Sequence, residues 1–170
     1  MQYIMLLDQL RINNCEQWLR SNNYEITPFY LNTEWSFQIK NSPFFITLEQ
    51  SDILWKRWEE DPNWASSAII YQLEDENLAE TLQEQLRKNI TIKSQSGKLW
   101  LCRFYSPNVW MSLSKSLTQE QLQTLSGCAD AIYLSPSLLH DNHPLIQLND
   151  PVTTFNQLSV SDTIIEGLIA

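Results

Sequence analysis

Residues 98–107, KLWLCRFYSP, constrain the fold more than any other stretch of the chain. Alternation sets Leu99, Leu101, Arg103 and Tyr105 on one face of an extended backbone and Trp100, Cys102 and Phe104 on the other. Apolar residues on both faces predict a strand inside a sheet rather than along a wet edge. Residues 90–94 (ITIKS) predict a partner strand, with Gln95-Ser96-Gly97 as the hairpin turn between the two. Ser106-Pro107 reads as a helix start, with serine at the N-cap and proline at the first helical position. A central hairpin over about 90–105, opening directly into a helix, is the expected hub. Arg103 is a charge in the middle of an otherwise apolar run, residues 99–105. A buried charge requires a partner, so Arg103 is expected in a structural ion pair with Asp8, Glu49 or Asp130, Asp8 being the pair carried forward. The alternative is that it grips a carboxylate of another protein.

Helices and strands alternate around this hub. Strands are expected over residues 3–7, 44–48, 68–73 and 131–134, the third of these (AIIYQL) apolar on both faces. Residues 24–30 read as extended, with Pro28 keeping them at an edge, and 35–39 as a strand or an ordered loop. Asn13 or Asn14 opens a helix through Cys15, Trp18 and Leu19. Ser51-Asp52 opens another through Leu54, Trp55 and Trp58, stopped by Asp61-Pro62. Leu78, Leu82 and Leu86 give residues 76–88 the clearest helical period, and Arg87-Lys88 at its end suit the helix dipole. Val109, Trp110 and Leu113 line the helix after the hub. Thr118 and Gln121 form a capping-box pattern for the next, which ends at Gly127. Beyond residue 130, Pro136, Pro144 and Pro151 break up a polar stretch before a closing helix that starts at Ser161-Asp162 and carries Ile164, Ile165 and Leu168. The expected class is mixed α/β: a mixed sheet with interleaved helices. Residues 1–130 form the main domain and 131–170 a C-terminal extension or small lobe, packed on the body or on a partner.

A hydrophobic share of 43% is enough for a packed core, and 170 residues fit one domain of ordinary size. The formal net charge of −9 argues against nucleic acid or an anionic membrane as partner, since both select basic surfaces. Three widely spaced cysteines make neither a disulfide framework nor a zinc site. The first residues carry no basic region followed by a long apolar one, and no apolar run approaches the ~18 residues that span a bilayer. A reduced, cytoplasmic setting is therefore expected, with no cofactor.

Chemistry-bearing patterns are few. Glycines occur only at 97, 127 and 167, which excludes the glycine-rich phosphate loops and the nucleophile elbow. His140 and His143 in HDNHP could place two ligands together, but Pro144 makes this a polar surface turn. Glu59-Glu60-Asp61 and Glu74-Asp75-Glu76 sit at helix ends, where solvated charge is the ordinary explanation. Cys102 reads as a buried structural thiol. Seven tryptophans, by contrast, exceed what an interior of this size needs. Tryptophan is enriched where one protein grips another, so Trp35, Phe37, Trp58, Trp64 and Trp110 are the candidate contacts, with core packing as the competing use of each.

Several of these pieces occur in a fixed order: YIMLLD from Tyr3 to Asp8, SPFFITL from Ser42 to Leu48, Trp64, the helix ending Gln85-Leu86-Arg87, then Gly97 and RFYSP from Arg103 to Pro107. Together they resemble the type VI secretion effector chaperones, or adaptors, over about residues 1–130. The family usually has aspartate where this chain has Ser106, and a small residue with glycine where it has Asn41-Ser42; serine can still cap the helix. The resemblance implies a non-enzymatic protein of the producing cell that holds a toxic effector in the cytoplasm and assists its loading onto the tip spike protein, VgrG. An aromatic groove or an exposed strand edge would recognise the effector segment. Two other readings stand beside it. An acidic immunity protein could neutralise a toxin, and a small hydrolase could use His140, His143 and a carboxylate.

Overall fold

The two most apolar runs, around residues 2–7 and 68–73, lie side by side at the centre of the molecule, and everything else covers them. The computed structural model describes residues 1–148 and 158–169, so Pro151 lies outside the described residues. In chain order the elements are β1 (Gln2–Leu7), α1 (Cys15–Ser21), β2 (Thr27–Pro28), β3 (Phe44–Leu48), α2 (Ile53–Glu60), α3 (Pro62–Ala65), β4 (Ala68–Leu73), α4 (Ala79–Lys88), β5 (Thr91–Ser94), β6 (Leu99–Leu101), α5 (Pro107–Ser116), α6 (Gln119–Ser126), β7 (Ala131–Tyr133), α7 (Pro136–Leu139), β8 (Ile146–Gln147), β9 (Ser159–Val160) and α8 (Asp162–Ile169). The protein is mixed α/β, with a six-stranded antiparallel sheet in the order β2-β3-β1-β4-β7-β8 and a smaller sheet in the order β6-β5-β9.

Both faces of the large sheet are covered. Along β1, Ile4 and Leu6 enter one core while Tyr3, Met5 and Leu7 enter the other, and β4 divides Ile69, Tyr71 and Leu73 from Ala68 and Ile70 in the same way. The first core is closed by Leu82 and Leu86 of α4, Trp110 and Leu113 of α5, Leu125 of α6, Ile165 of α8 and the small sheet. The second is closed by α1, α2 and α3 through Leu19, Leu54, Trp58 and Trp64. This three-layer arrangement explains why β1 and β4 read as continuous apolar runs instead of alternating with polar residues.

Local signals act as their chemistry demands. Thr118 and Gln121 form the reciprocal capping box of α6. Pro107 stands in the first turn of α5 behind Ser106, whose side chain makes no cap hydrogen bond. Gly127 ends α6 at φ +59, and a Cβ there would meet Gln85 Oε1 at 2.5 Å, so the position requires glycine. The buried Ser42 hydroxyl accepts from the Tyr30 N–H at 2.9 Å and donates to the Pro43 carbonyl, which fixes the entry to β3.

The position of the hub is corrected. The hub strand is only Leu99–Leu101, and it is the edge of the small sheet, not an internal strand. Its continuation bends after Leu101: Cys102 still donates to the Ile90 carbonyl, then the chain turns at Arg103–Tyr105 and buries Phe104. The centre of the fold is β1 with β4. Of the two readings of 35–39, a strand or an ordered loop, the structure shows the loop, with a 3-10 turn over 36–41. The chain after residue 130, expected to pack on the body or on a partner, packs on the body: β7 begins at Ala131 and pairs with β4, β9 pairs with β5, and Ile165 is buried in the first core. The chain after residue 130 is thus built into both sheets.

Candidate functional site

Of the five aromatic candidates, three are structural. Trp58 donates from Nε1 to the Ala68 carbonyl at 3.2 Å, and Trp110 to the Phe104 carbonyl at 2.8 Å, both fully enclosed. Trp64 is 2% exposed and meets Trp18 edge-on at 5.1 Å, with the Arg57 guanidinium 5.0 Å from its ring. Core packing, the competing use, holds for these three because each lies on the helix or turn face aimed at the sheet.

Trp35 and Phe37 are placed differently. Their rings lie 5.8 Å apart in a tilted arrangement, with an interplanar angle of 30°, Trp35 half-buried and Phe37 74% exposed. The loop that carries them is ordered by its own hydrogen bonds: Thr33 Oγ1 donates to the Tyr30 carbonyl at 2.8 Å and Ser36 Oγ to the Thr33 carbonyl at 2.6 Å. It is also tied to the small sheet, where the Thr91 hydroxyl donates to the Glu34 carboxylate.

Beside this loop lies a recess of about 330 Å³ lined by Asp8, Leu10, Trp35, Leu101, Arg103 and Tyr105. A second groove, of about 450 Å³, adjoins it through the shared residues Leu101 and Arg103 and runs between Trp100, Val109 of α5 and Leu168 of α8. The indole Nε1 atoms of Trp35 and Trp100, one lining each hollow, are buried without a hydrogen-bond partner. Leu99, at the tip of the same edge strand, is 66% exposed.

Arg103 stands at the junction of the two hollows. It is exposed rather than buried, and among the described residues the ion pairs do not include one between Arg103 and Asp8. The physical reason is the bend after Leu101, which turns the side chain outward. Its charge still reaches Asp8. Burial raises the Asp8 carboxyl above the ordinary range, opposed by the Leu10 N–H at 3.2 Å and by the Arg11 and Arg103 guanidiniums. Tyr105 is held protonated by burial and by the neighbouring Tyr30 hydroxyl.

The other chemical candidates do not meet here. His140 and His143 occupy a surface turn, with Asp141 Oδ1 accepting the His143 N–H at 3.0 Å. Glu59 accepts from Trp55 Nε1, and Asp61 caps α3. Burial pushes the Cys15 thiol up to about 12 and raises that of Cys102 further. Among the described residues there is no group of three or more His, Cys, Asp or Glu that could hold a metal ion, and no helix long and apolar enough to cross a membrane. The hollows offer apolar walls, a strand edge that no other strand among the described residues pairs with, and a cationic fork.

Sequence reasoning missed two contributors. Arg87 donates from Nε to the Phe29 carbonyl and from a terminal nitrogen to the Pro28 carbonyl, both at 3.2 Å, and lies 5.3 Å from the Phe45 ring, so it clamps edge strand β2 onto the body. Its place in the last turn of α4 suggested only a dipole partner. Leu99 was assigned to the interior because the run around it is apolar on both faces.

Residues 3–124 match the family model described as Domain of unknown function (DUF4123), well over half of the chain. This chain belongs to the DUF4123 family. The match spans β1 through most of α6, and so includes both hollows apart from the α8 wall. No curated protein and no solved structure matches the DUF4123 chain at a significant level.

Proposed function

We propose that this protein is a chaperone or adaptor of type VI secretion, which binds a toxic effector in the cytoplasm of the producing cell and assists its loading onto the VgrG spike. Its link to type VI secretion rests on the ordered motifs that resemble that family, from Tyr3–Asp8 through Arg103–Pro107. The observation that carries the recognition role is the tilted Trp35–Phe37 pair, with Phe37 exposed, beside the β6 edge. A protein surface that combines exposed aromatics with an unpaired edge suits capture of an extended polypeptide.

Co-expression with the effector and spike proteins encoded by neighbouring genes tests the proposal. The expected result is co-purification of the effector, and of the spike in its presence. Failure with every neighbouring product contradicts it. The immunity reading predicts instead that this protein protects a cell expressing the toxin's catalytic domain alone, and the adaptor reading predicts no protection.

A further inference from the structure

An acidic chain carries a basic island around the edge strand β6. Six of its 11 Lys and Arg residues fall between Glu84 and Glu120, a span with no Asp or Glu at all. Three of them, Lys93, Lys98 and Arg103, are exposed around the β5–β6 hairpin and take part in none of the ion pairs among the described residues. The nearby acids are held by other donors, Glu34 by the Thr91 hydroxyl, Asp8 by the Leu10 N–H and Asp162 by the Ser96 hydroxyl at 2.7 Å; Asp8 also feels the charge of Arg103 and Asp162 that of Lys98, without an ion-pair contact.

The hairpin register decides where the backbone points. Ser94 donates to the Lys98 carbonyl at 2.8 Å and Cys102 to the Ile90 carbonyl at 2.7 Å, with Ile92 opposite Trp100 between them. Residues 98, 100 and 102 therefore face β5, and the N–H and C=O groups of Leu99 and Leu101 face away from it. No strand among the described residues pairs with that side. The side chains divide as well. Trp100 and Cys102 border only the groove walled by Val109 and Leu168, whereas Leu101 and Arg103 border both that groove and the recess that contains Trp35.

Resting on the carrier reading, we propose that β6 is a strand-addition site for an extended segment of the effector in which apolar and acidic residues alternate. The added strand bonds to the free backbone groups of Leu99 and Leu101. Its apolar side chains enter the groove beside Trp100, and its carboxylates meet Arg103 and Lys93, which lies opposite Leu99 on the same face. A second copy of this chain is not the occupant, because two β6 edges brought together would set these cations against their own copies.

The test uses the full-length protein and three fluorescein-labelled ten-residue peptides. One alternates Val and Glu, one alternates Val and Lys, and one repeats the first with every second amide N-methylated. Anisotropy should show binding of the Val–Glu peptide, at least tenfold weaker binding of the other two, and weakening of the first in 0.5 M salt. Amide exchange should slow at Leu99 and Leu101 when it binds. The surface variant K93E/K98E/R103E should lose at least tenfold affinity and keep its melting temperature. Absence of binding, equal binding of the Val–Lys peptide, or binding that leaves the Leu99 and Leu101 amides unchanged overturns the site. Co-purification of the effector with wild type and with K93E/K98E/R103E alike also overturns it and leaves the carrier reading standing. Peptide binding as expected, with no co-purification of any neighbouring product, keeps the site and removes the carrier reading.

Discussion

Strands β4 and β6 look alike in sequence and have opposite fates. AIIYQL and LWLCRFY are both apolar on both faces, yet β4 has strands on each side and β6, among the described residues, has one only on the side of β5. All six residues of β4 are buried, whereas Leu99 of β6 is two-thirds exposed. The difference lies in what flanks each run. β4 sits between β1 and β7 and is sealed by helices above and below. β6 ends in a bend, is preceded by a glycine turn at φ +86, and is bordered by Lys93, Lys98 and Arg103. Two-faced apolarity therefore specifies coverage of both faces of a strand but not of its edge, and charge around the run is what marks the edge as open.

The largest effect that would sharpen this contrast is in the large sheet. Trp58→Ala and Ile70→Ala should each cost about 2–5 kcal/mol, because both side chains are fully enclosed and leave cavities. Urea denaturation would measure it; a loss under about 1 kcal/mol would mean the central layer is not packed as described.

Next in size is the response to alkali. The Cys15 and Cys128 thiols are raised by burial from 9.0 to about 12 and about 11. The unfolded chain therefore releases these protons first, so their stabilising contribution is complete below pH 9 and is lost as pH rises toward 11–12. The slope is about 1.4 kcal/mol per pH unit for each thiol in that window. Urea midpoints at pH 8, 9 and 10 should fall in that order, and Cys15→Ala should flatten the decline. A thiol reagent should find none of the three cysteines in the native protein; rapid modification of Cys102 alone would show that the end of β6 is looser than its burial implies.

How much of this was legible in the sequence follows the same division. β1, β3, β4, the Thr118 capping box and the Pro107 helix start were readable because local pattern and final environment agree. The edge position of β6 was not, because pairing is a long-range choice that periodicity does not encode. Nor was the outward turn of Arg103, which depends on a bend that no glycine or proline announces. Of the candidate contacts, Trp35 and Phe37 are at the surface and Trp58, Trp64 and Trp110 are enclosed. Helical spacing toward the sheet would have removed Trp58 and Trp110 from that set, since each shares a face with neighbours that are plainly core.

The smallest expected effects on stability lie at the surface. Phe37→Ala and Leu99→Ala should each change stability by no more than about 0.5 kcal/mol, since most of each side chain is already in water. Both should nevertheless weaken capture of the effector by an order of magnitude in a pull-down titration. Strong destabilisation with capture unchanged would assign these residues to the fold.

The most direct test is hydrogen exchange across the chain, with and without the co-purified effector. The account predicts new protection concentrated in residues 98–105 and 33–38, and little change in the already protected β1 and β4. Protection confined to α1, α2 or the His140–His143 turn, with residues 98–105 exchanging as in the free protein, would contradict it.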